Sequence, residues 1–161
     1  MQSVVPIRIT RSALRLIASE AVASSDGRET GGVLLGISDG EHITIRHAGG
    51  PGPGARRTPM TFDRDLVYAQ DLADEAWARD RSQWIGEWHT HSSGPLFPSP
   101  RDISSYLTHL ADAELGFTQF VSVIVGPPTP EGTPISGWIV RSAQTVASPI
   151  EAIEEDDSHA H

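Results

Sequence analysis

The sequence has no cysteine among its 161 residues. This absence excludes a disulfide framework, a thiol nucleophile and cysteine-ligated zinc. It also argues against a zinc nucleoside or base deaminase, because such an enzyme binds its metal through cysteines, including those of a P-C-x-x-C segment. Any metal site in this chain must therefore be built from histidine, aspartate and glutamate side chains.

Lysine is absent as well, and all twelve basic residues are arginine, against 21 acidic residues. The formal net charge is −9. An acidic chain does not favour binding to a nucleic-acid backbone, so we expect no nucleic-acid partner. The absence of lysine fits a GC-rich genome; it also leaves no side-chain amine for the attachment of a protein modifier.

Long apolar runs are missing too, and the first residues, MQSVVPIRIT, lack the basic and then apolar layout of a signal peptide. We therefore expect a cytoplasmic protein with no membrane partner. The length and a hydrophobic content of 38% suit one globular domain, which we place at residues 1–145. Residues 146–161 contain five acidic side chains and no arginine, which predicts an acidic, flexible tail. His159 and His161 lie in that tail with no strand to hold them, so they predict no metal site.

Apolar strands alternate with amphipathic helices, which predicts a mixed α/β fold with helices packed on a sheet. Thr10 is the predicted N-cap of the first helix, and Asp39-Gly40 is a predicted hairpin turn. The stretch from Gly49 to Pro59 has four glycines and three prolines, which predicts a loop. The predicted strands are Val4–Ile9, Gly31–Ser38, Glu41–Ala48, Gln83–His91, Phe120–Gly126 and Pro134–Arg141, and the later helices are Phe62–Asp80 and Pro100–Ala113.

Two histidines, His89 and His91, lie one residue apart in the predicted strand IGEWHTH. Because side chains alternate along a strand, both imidazoles share a face with Ile85 and Glu87, while Trp88 points to the other face. By strand rise the two residues are about 7 Å apart at the backbone, so both rings can reach one metal ion. Imidazole is a common zinc ligand, and histidines with a carboxylate and an open position are typical of catalytic sites.

Asp102 is the candidate for a third ligand, in the segment Ser99-Pro100-Arg101-Asp102. Pro100 suits the first turn of a helix, and Ser99 suits its N-cap. Two interpretations of Asp102 stay open at this point. It could close a capping box with Ser99, although that box normally uses Glu or Gln, or the helix N-terminus could direct it at the histidines as a metal ligand.

The combined pattern H-T-H-x7-S-x-x-D, from His89 to Asp102, resembles the signature of the JAMM (MPN-plus) metalloprotease family. That family also has a glutamate at the start of a glycine-rich strand, and this chain has ETGGVLLG from Glu29 to Gly36. The resemblance extends over nearly the whole domain and leaves out the acidic tail. It implies a cytidine-deaminase-like α/β fold with a mixed sheet, one Zn2+ per chain, and hydrolysis of peptide or isopeptide bonds.

Carried over by position, the resemblance implies that His89, His91 and Asp102 hold zinc and that a zinc-bound water is the nucleophile. Glu29 would be the catalytic base, and Ser99 would donate a hydrogen bond to the developing oxyanion. Glu87 shares the histidine face and is a rival base; we interpret it as ion-paired or as a neighbour that supports the site. Many family members have proline after the second histidine, where this chain has Ser92; this departure predicts a less rigid following loop and does not affect the metal ligands.

The resemblance also implies a substrate: a ubiquitin-like protein or another conjugated protein, cleaved after its C-terminal tail. Some bacterial members of the family accompany E1-like and E2-like conjugation enzymes, including those of anti-phage operons of the cyclic-oligonucleotide type. The segment GEWHTH resembles that deconjugating isopeptidase group most. The alternatives are a processing protease for a sulfur-carrier protein and an inactive MPN scaffold.

Overall fold

A computed structural model of the chain describes residues 4–24, 26–93 and 95–155. Within them it has three helices and ten strands. In chain order they are β1 (Ile7–Thr10), α1 (Arg11–Ala23), β2 (Gly31–Ser38), β3 (Ile43–Ala48), β4 (Arg56–Arg57), β5 (Phe62–Asp63), α2 (Leu66–Asp80), β6 (Gln83–Thr90), α3 (Pro100–Ala111), β7 (Phe120–Val125), β8 (Ile135–Val140), β9 (Thr145–Ser148) and β10 (Ile150–Ile153).

Eight of the strands form one mixed sheet in the order β10-β1-β3-β2-β6-β7-β8-β9. Its two ends are joined by one segment, since β9 pairs with β8, β10 pairs with β1, and only Pro149 separates them. The Ile7 N–H donates to the Pro149 carbonyl at 2.9 Å. A Cβ added at Gly137 in β8 would lie 2.9 Å from the side chain of Ile7, so the two ends of the curved sheet are in close contact.

The flexible tail predicted at residues 146–161 overlaps with β9 and β10, which pair with the rest of the sheet. Residues up to Ile153 belong to β9 and β10, and the half-buried Ile150 packs against the main core. The acidic side chains indicated a solvated segment, but a strand can expose Glu151 while its backbone pairs with β1. Asp156, Asp157, His159 and His161 lie outside the described residues.

The three helices cover the two faces of the sheet. Helix α1 begins at the predicted cap, where Thr10 Oγ1 accepts the Ala13 N–H at 3.2 Å, and it packs Ala13 and Ile17 into the largest cluster. Helices α2 and α3 cover the opposite face, through clusters centred on Val33 and on Tyr106. No helix in the described ranges is long and apolar enough to cross a membrane.

Helix α2 was predicted to begin at Phe62, and this boundary was wrong. Asp65 is the N-cap, with its side chain accepting the Tyr68 N–H at 3.1 Å. Phe62 instead pairs with Arg57 across a short hairpin, β4–β5, whose first strand lies in the glycine- and proline-rich segment. We call residues 56–63 the β4–β5 hairpin; it lies beside the site described next.

A β-bulge changes the alternation of β6 near its start. The pairing with β2 runs from Leu34↔Gly86 to Leu35↔Trp84 and skips Ile85. Ile85 therefore joins the core cluster that contains Trp88, whereas Trp84 packs against α2 and α3 on the histidine side. The prediction that Ile85 shares the histidine face was wrong because a bulge inserts one residue into the alternation.

Candidate metal centre

Strands β2 and β6 bring Glu29 close to the two histidines. They pair antiparallel with Gly31 opposite His89, and the Thr90 N–H donates to the Thr30 carbonyl at 2.8 Å. Continuing that register places Glu29 opposite His91. The approach is closer than a side chain allows, because a Cβ at Gly31 would lie 2.3 Å from the Trp88 carbonyl oxygen. The glycine that follows Glu29-Thr30 is therefore required by the contact between the strands.

Helix α3 brings Asp102 to the same place. The Ser99 Oγ accepts the Asp102 N–H at 3.1 Å, and the Ser99 N–H donates to Asp102 Oδ2 at 2.8 Å, which completes a capping box. The same Oδ2 lies 3.2 Å from His89 Nε2 and 3.3 Å from His91 Nε2. The carboxylate therefore caps the helix and faces the histidines at the same time, so the capping box does not exclude Asp102 as a candidate ligand.

The nitrogen atoms of the two histidines converge. His89 Nε2 and His91 Nε2 are 3.1 Å apart, and Glu29, His89 and His91 each offer a ligand atom within 4.8 Å of the others. His91 Nδ1 lies 3.1 Å from the Pro95 carbonyl, to which it donates. With that donor assignment, the neutral ring has a lone pair on Nε2, whereas the protonated ring donates from Nε2 to Asp102.

The charges of these groups are set by burial and by each other. Burial favours a neutral Asp102, but hydrogen bonds from His89, His91 and the Ser99 N–H outweigh it and hold the pKa of Asp102 well below its usual value. The hydrogen bond to Asp102 raises the pKa of His91 despite burial, and the Pro95 carbonyl adds to the effect. Burial raises the pKa of Glu29, partly offset by the nearby histidines. Asp102 is thus an anion beside two imidazoles, and Glu29 is a carboxylate with raised basicity.

The profile of the prokaryotic homologs of the JAB domain matches residues 10–148. The chain belongs to the JAB-domain family. The mixed α/β fold with helices on the sheet is the fold that the resemblance implied, and it is confirmed. A solution structure of the protein DSY2949 from Desulfitobacterium hafniense has a similar fold, with a TM-score of 0.70 and 19% identity over 96% of this chain and 98% of that one.

Three curated relatives carry the name CD-NTase/cGAS isopeptidase. The Vibrio cholerae protein is 34% identical over 53% of this chain and 56% of its own length. The Pseudomonas aeruginosa protein is 30% identical over 62% of this chain and 65% of its own, and the Escherichia coli protein 29% identical over 61% and 62%. The matched part of this chain thus spans less than two thirds of each relative.

The donor set of this JAB domain fits a zinc ion. Two imidazole nitrogens and one carboxylate oxygen are mutually 3.1–3.3 Å apart, and His91 already uses its second ring nitrogen on a carbonyl. Two histidines and one carboxylate are a ligand set that leaves a position open for water or substrate. Glu29 lies beside that set as a fourth group.

Glu87, the rival base, is held in an ion pair. Its carboxylate forms an ion pair with Arg64, and both side chains are 12% exposed. The Arg64 guanidinium also lies over the Trp84 ring, 4.9 Å from its centroid. The interpretation of Glu87 as an ion-paired residue is confirmed, and this pairing makes it a poor candidate for the base.

The loop after His91 is held at both ends. Ser92, which replaces the proline common in the family, donates from Oγ to the Pro59 carbonyl at 3.1 Å, so the loop contacts the β4–β5 hairpin. The Leu96 carbonyl accepts hydrogen bonds from Ser136 and from the Trp138 indole, the latter at 3.0 Å. Hydrogen bonds therefore restrain Ser92 and Leu96 without the proline.

Two supporting residues were missed by the sequence analysis. The Arg57 side chain donates to the Glu29 carbonyl at 3.1 Å and also pairs with Asp26. The Tyr106 hydroxyl lies 3.5 Å from His89 Nδ1. A signal for Tyr106 was present, because it follows Asp102 by four residues and so lies on the same face of the helix; Arg57 gave no such signal within its loop.

Proposed function

We propose that this JAB domain is a zinc-dependent isopeptidase that cleaves the bond after the C-terminal tail of a conjugated protein. The observation that carries the proposal is the convergence of His89, His91 and Asp102, with Glu29 beside them. The shared name of the three relatives supports the isopeptidase reaction and a CD-NTase/cGAS protein as one partner of the conjugate. A ubiquitin-like protein is the second substrate class to be tested.

In this proposal His89, His91 and Asp102 hold the zinc ion. When bound, zinc supplies Lewis acidity that makes water nucleophilic near neutral pH and polarises the scissile carbonyl. Glu29 accepts the proton of the attacking water and passes it to the departing amine. Its burial suits this exchange, because a carboxylate with a raised pKa takes up and releases a proton closer to neutral pH.

Ser99 is the proposed oxyanion donor. In its capping bond the Ser99 oxygen acts only as an acceptor, from the Asp102 N–H. Within the described residues its hydroxyl hydrogen has no acceptor, so it is free to donate to the substrate. A single oxyanion donor contributes about 3 kcal/mol to catalysis in other hydrolases.

A groove of about 750 Å³ opens next to Ser99 and runs along α3. Its lining carries no charged side chain; the residues are Phe97, Pro98, Pro100, Ile103, Ser104, Leu107, Thr108 and Ala111. Phe97 is 52% exposed there. The groove suits an apolar segment of a protein substrate whose scissile bond lies at the metal centre.

The test combines zinc content with cleavage of two probes, a CD-NTase and a ubiquitin-like protein, each fused through its C-terminus to a reporter. We expect one zinc per chain and cleavage of a probe by the wild type. Glu29→Gln should retain zinc and lose cleavage, because zinc is held by the other three side chains. Glu41→Gln, at an exposed position in the β2–β3 turn, is the matched control and should behave as wild type. The proposal would be refuted if the wild-type chain bound no zinc. It would also be refuted if Glu29→Gln cleaved a probe at the wild-type rate.

A further inference from the structure

Tyr106 lies behind His89, on the side away from the metal centre. Its side chain is fully buried, and its ring stacks on Phe120 with centroids 4.7 Å apart. The Tyr106 hydroxyl is 2.9 Å from Ser122 Oγ in β7 and 3.5 Å from His89 Nδ1. Three buried polar groups from a helix and two neighbouring strands thus form one chain of contacts.

The direction of these hydrogen bonds decides whether His89 can bind metal. A neutral imidazole carries one N–H, and the nitrogen that faces the centre is Nε2, 3.2 Å from Asp102 Oδ2. If Tyr106 donates to Nδ1, the proton of His89 lies on Nε2 and blocks ligation. If Nδ1–H donates to the Tyr106 oxygen, Tyr106 can donate to Ser122 and Nε2 keeps its lone pair.

In His91, Nδ1–H donates to a fixed acceptor, the Pro95 carbonyl, which leaves Nε2 of the neutral ring available to a metal ion. For His89, the Tyr106 hydroxyl is the partner of Nδ1 within the described residues. A hydroxyl can rotate to accept or donate, so the orientation of His89 depends on where Tyr106 sends its own hydrogen. Ser122, also fully buried, is the group that receives it.

We propose that Tyr106 is a positioning residue for the metal centre, which accepts the Nδ1–H of His89, donates to Ser122, and so holds His89 Nε2 unprotonated toward the metal. The inference rests on the metal site of the proposed function and adds the residues that orient it. Metal-ligating histidines ordinarily donate their second N–H to such a partner, and its loss typically weakens metal binding 10–100-fold. The 3.5 Å contact is at the long limit of a hydrogen bond, and we expect it to shorten when metal is bound.

Tyr106→Phe tests this, because it removes the hydroxyl and keeps the ring on Phe120. The zinc dissociation constant, measured by competition with a chromophoric chelator, should rise about 10–100-fold. In the zinc-loaded wild type, NMR should show a protected His89 Nδ1–H signal, which Tyr106→Phe should lose. The matched control is Tyr68→Phe, since Tyr68 is the other tyrosine and lies in α2, and it should change neither readout.

Ser122→Ala is the second variant and carries the test if Tyr106→Phe does not fold by circular dichroism. It leaves the Tyr106 hydroxyl without its acceptor and should also weaken zinc binding. Zinc affinity within twofold of wild type in the folded variants, with the Nδ1–H signal retained, would overturn the inference. Neither readout needs a substrate: weakened zinc binding in a protein that cleaves no probe would support Tyr106 and refute only the isopeptidase proposal.

Discussion

Gly31→Ala is predicted to separate Glu29, the proposed base, from the proposed metal ligands. The new methyl would lie 2.3 Å from the Trp88 carbonyl oxygen and 2.9 Å from His89 Cβ, whereas ordinary contacts begin at 3.4 Å. Strands β2 and β6 must therefore move apart by about 1 Å, since neither contact is with the movable end of a side chain. The hydrogen bond from the Thr90 N–H to the Thr30 carbonyl, now 2.8 Å, would become too long to persist.

Two effects follow, one on stability and one on the rate of cleavage. Overpacking of this kind costs about 1–3 kcal/mol of stability. Displacement of a catalytic group by about 1 Å can lower the rate about 100-fold. Glu29 lies two residues before β2, whereas the three proposed zinc ligands lie on β6, the loop after it and α3. We therefore expect zinc binding to fall much less than cleavage.

The assay compares urea unfolding, zinc affinity and kcat/KM for Gly31→Ala and Gly40→Ala. Gly40 is the matched control, because a Cβ there would meet nothing within 4 Å. If Gly31→Ala is as stable and as active as Gly40→Ala, the close contact does not determine the position of Glu29 and the reasoning fails. Equal losses of zinc affinity and cleavage would also contradict it, because they would mean that β2 positions the ligands themselves.

Two further predictions concern a helix cap and a buried carboxylate. Ser99→Ala should lose about 1 kcal/mol of stability because it removes the α3 cap, and its kcat should fall about 100–1,000-fold. Asp65→Ala, which removes the cap of α2, should lose stability with little change in kcat. Equal losses of kcat in the two variants would contradict the oxyanion role of Ser99. Asp80 is buried, which favours its neutral form, but hydrogen bonds from Ser82 and His47 outweigh burial and lower its pKa. The Asp80 carboxylate therefore stabilises the folded chain fully above 3.8, the ordinary pKa of aspartate, and this stability is lost as the pH falls through the lowered pKa of the folded state. Asp80→Asn should melt below wild type at neutral pH, with a gap that narrows in acid; a gap that is constant with pH would refute this.

The sequence predicted the parts of the fold that depend on local chemistry. Strand β2 has the predicted limits, and the caps at Thr10 and Ser99 are where their side chains indicated. The bulge at Ile85 and the pairing of β10 with β1 were missed, because both depend on contacts between distant segments. Alternation along one strand does not reveal which residue its neighbour skips, and acidic composition does not reveal an available strand edge.

The site shows the same division in one residue. The pattern Ser-x-x-Asp predicts a capping box from local geometry. The family signature predicts that Asp102 is a metal ligand from its spacing along the sequence relative to the histidines. In the structure one oxygen of Asp102 is compatible with both, since it accepts the Ser99 N–H and faces His89 and His91. The two interpretations were alternatives only while the position of α3 was unknown. A helix that begins beside the end of β6 makes the capping carboxylate available to the histidines, and its cap uses Ser99 Oγ as an acceptor, which is compatible with the proposed oxyanion role.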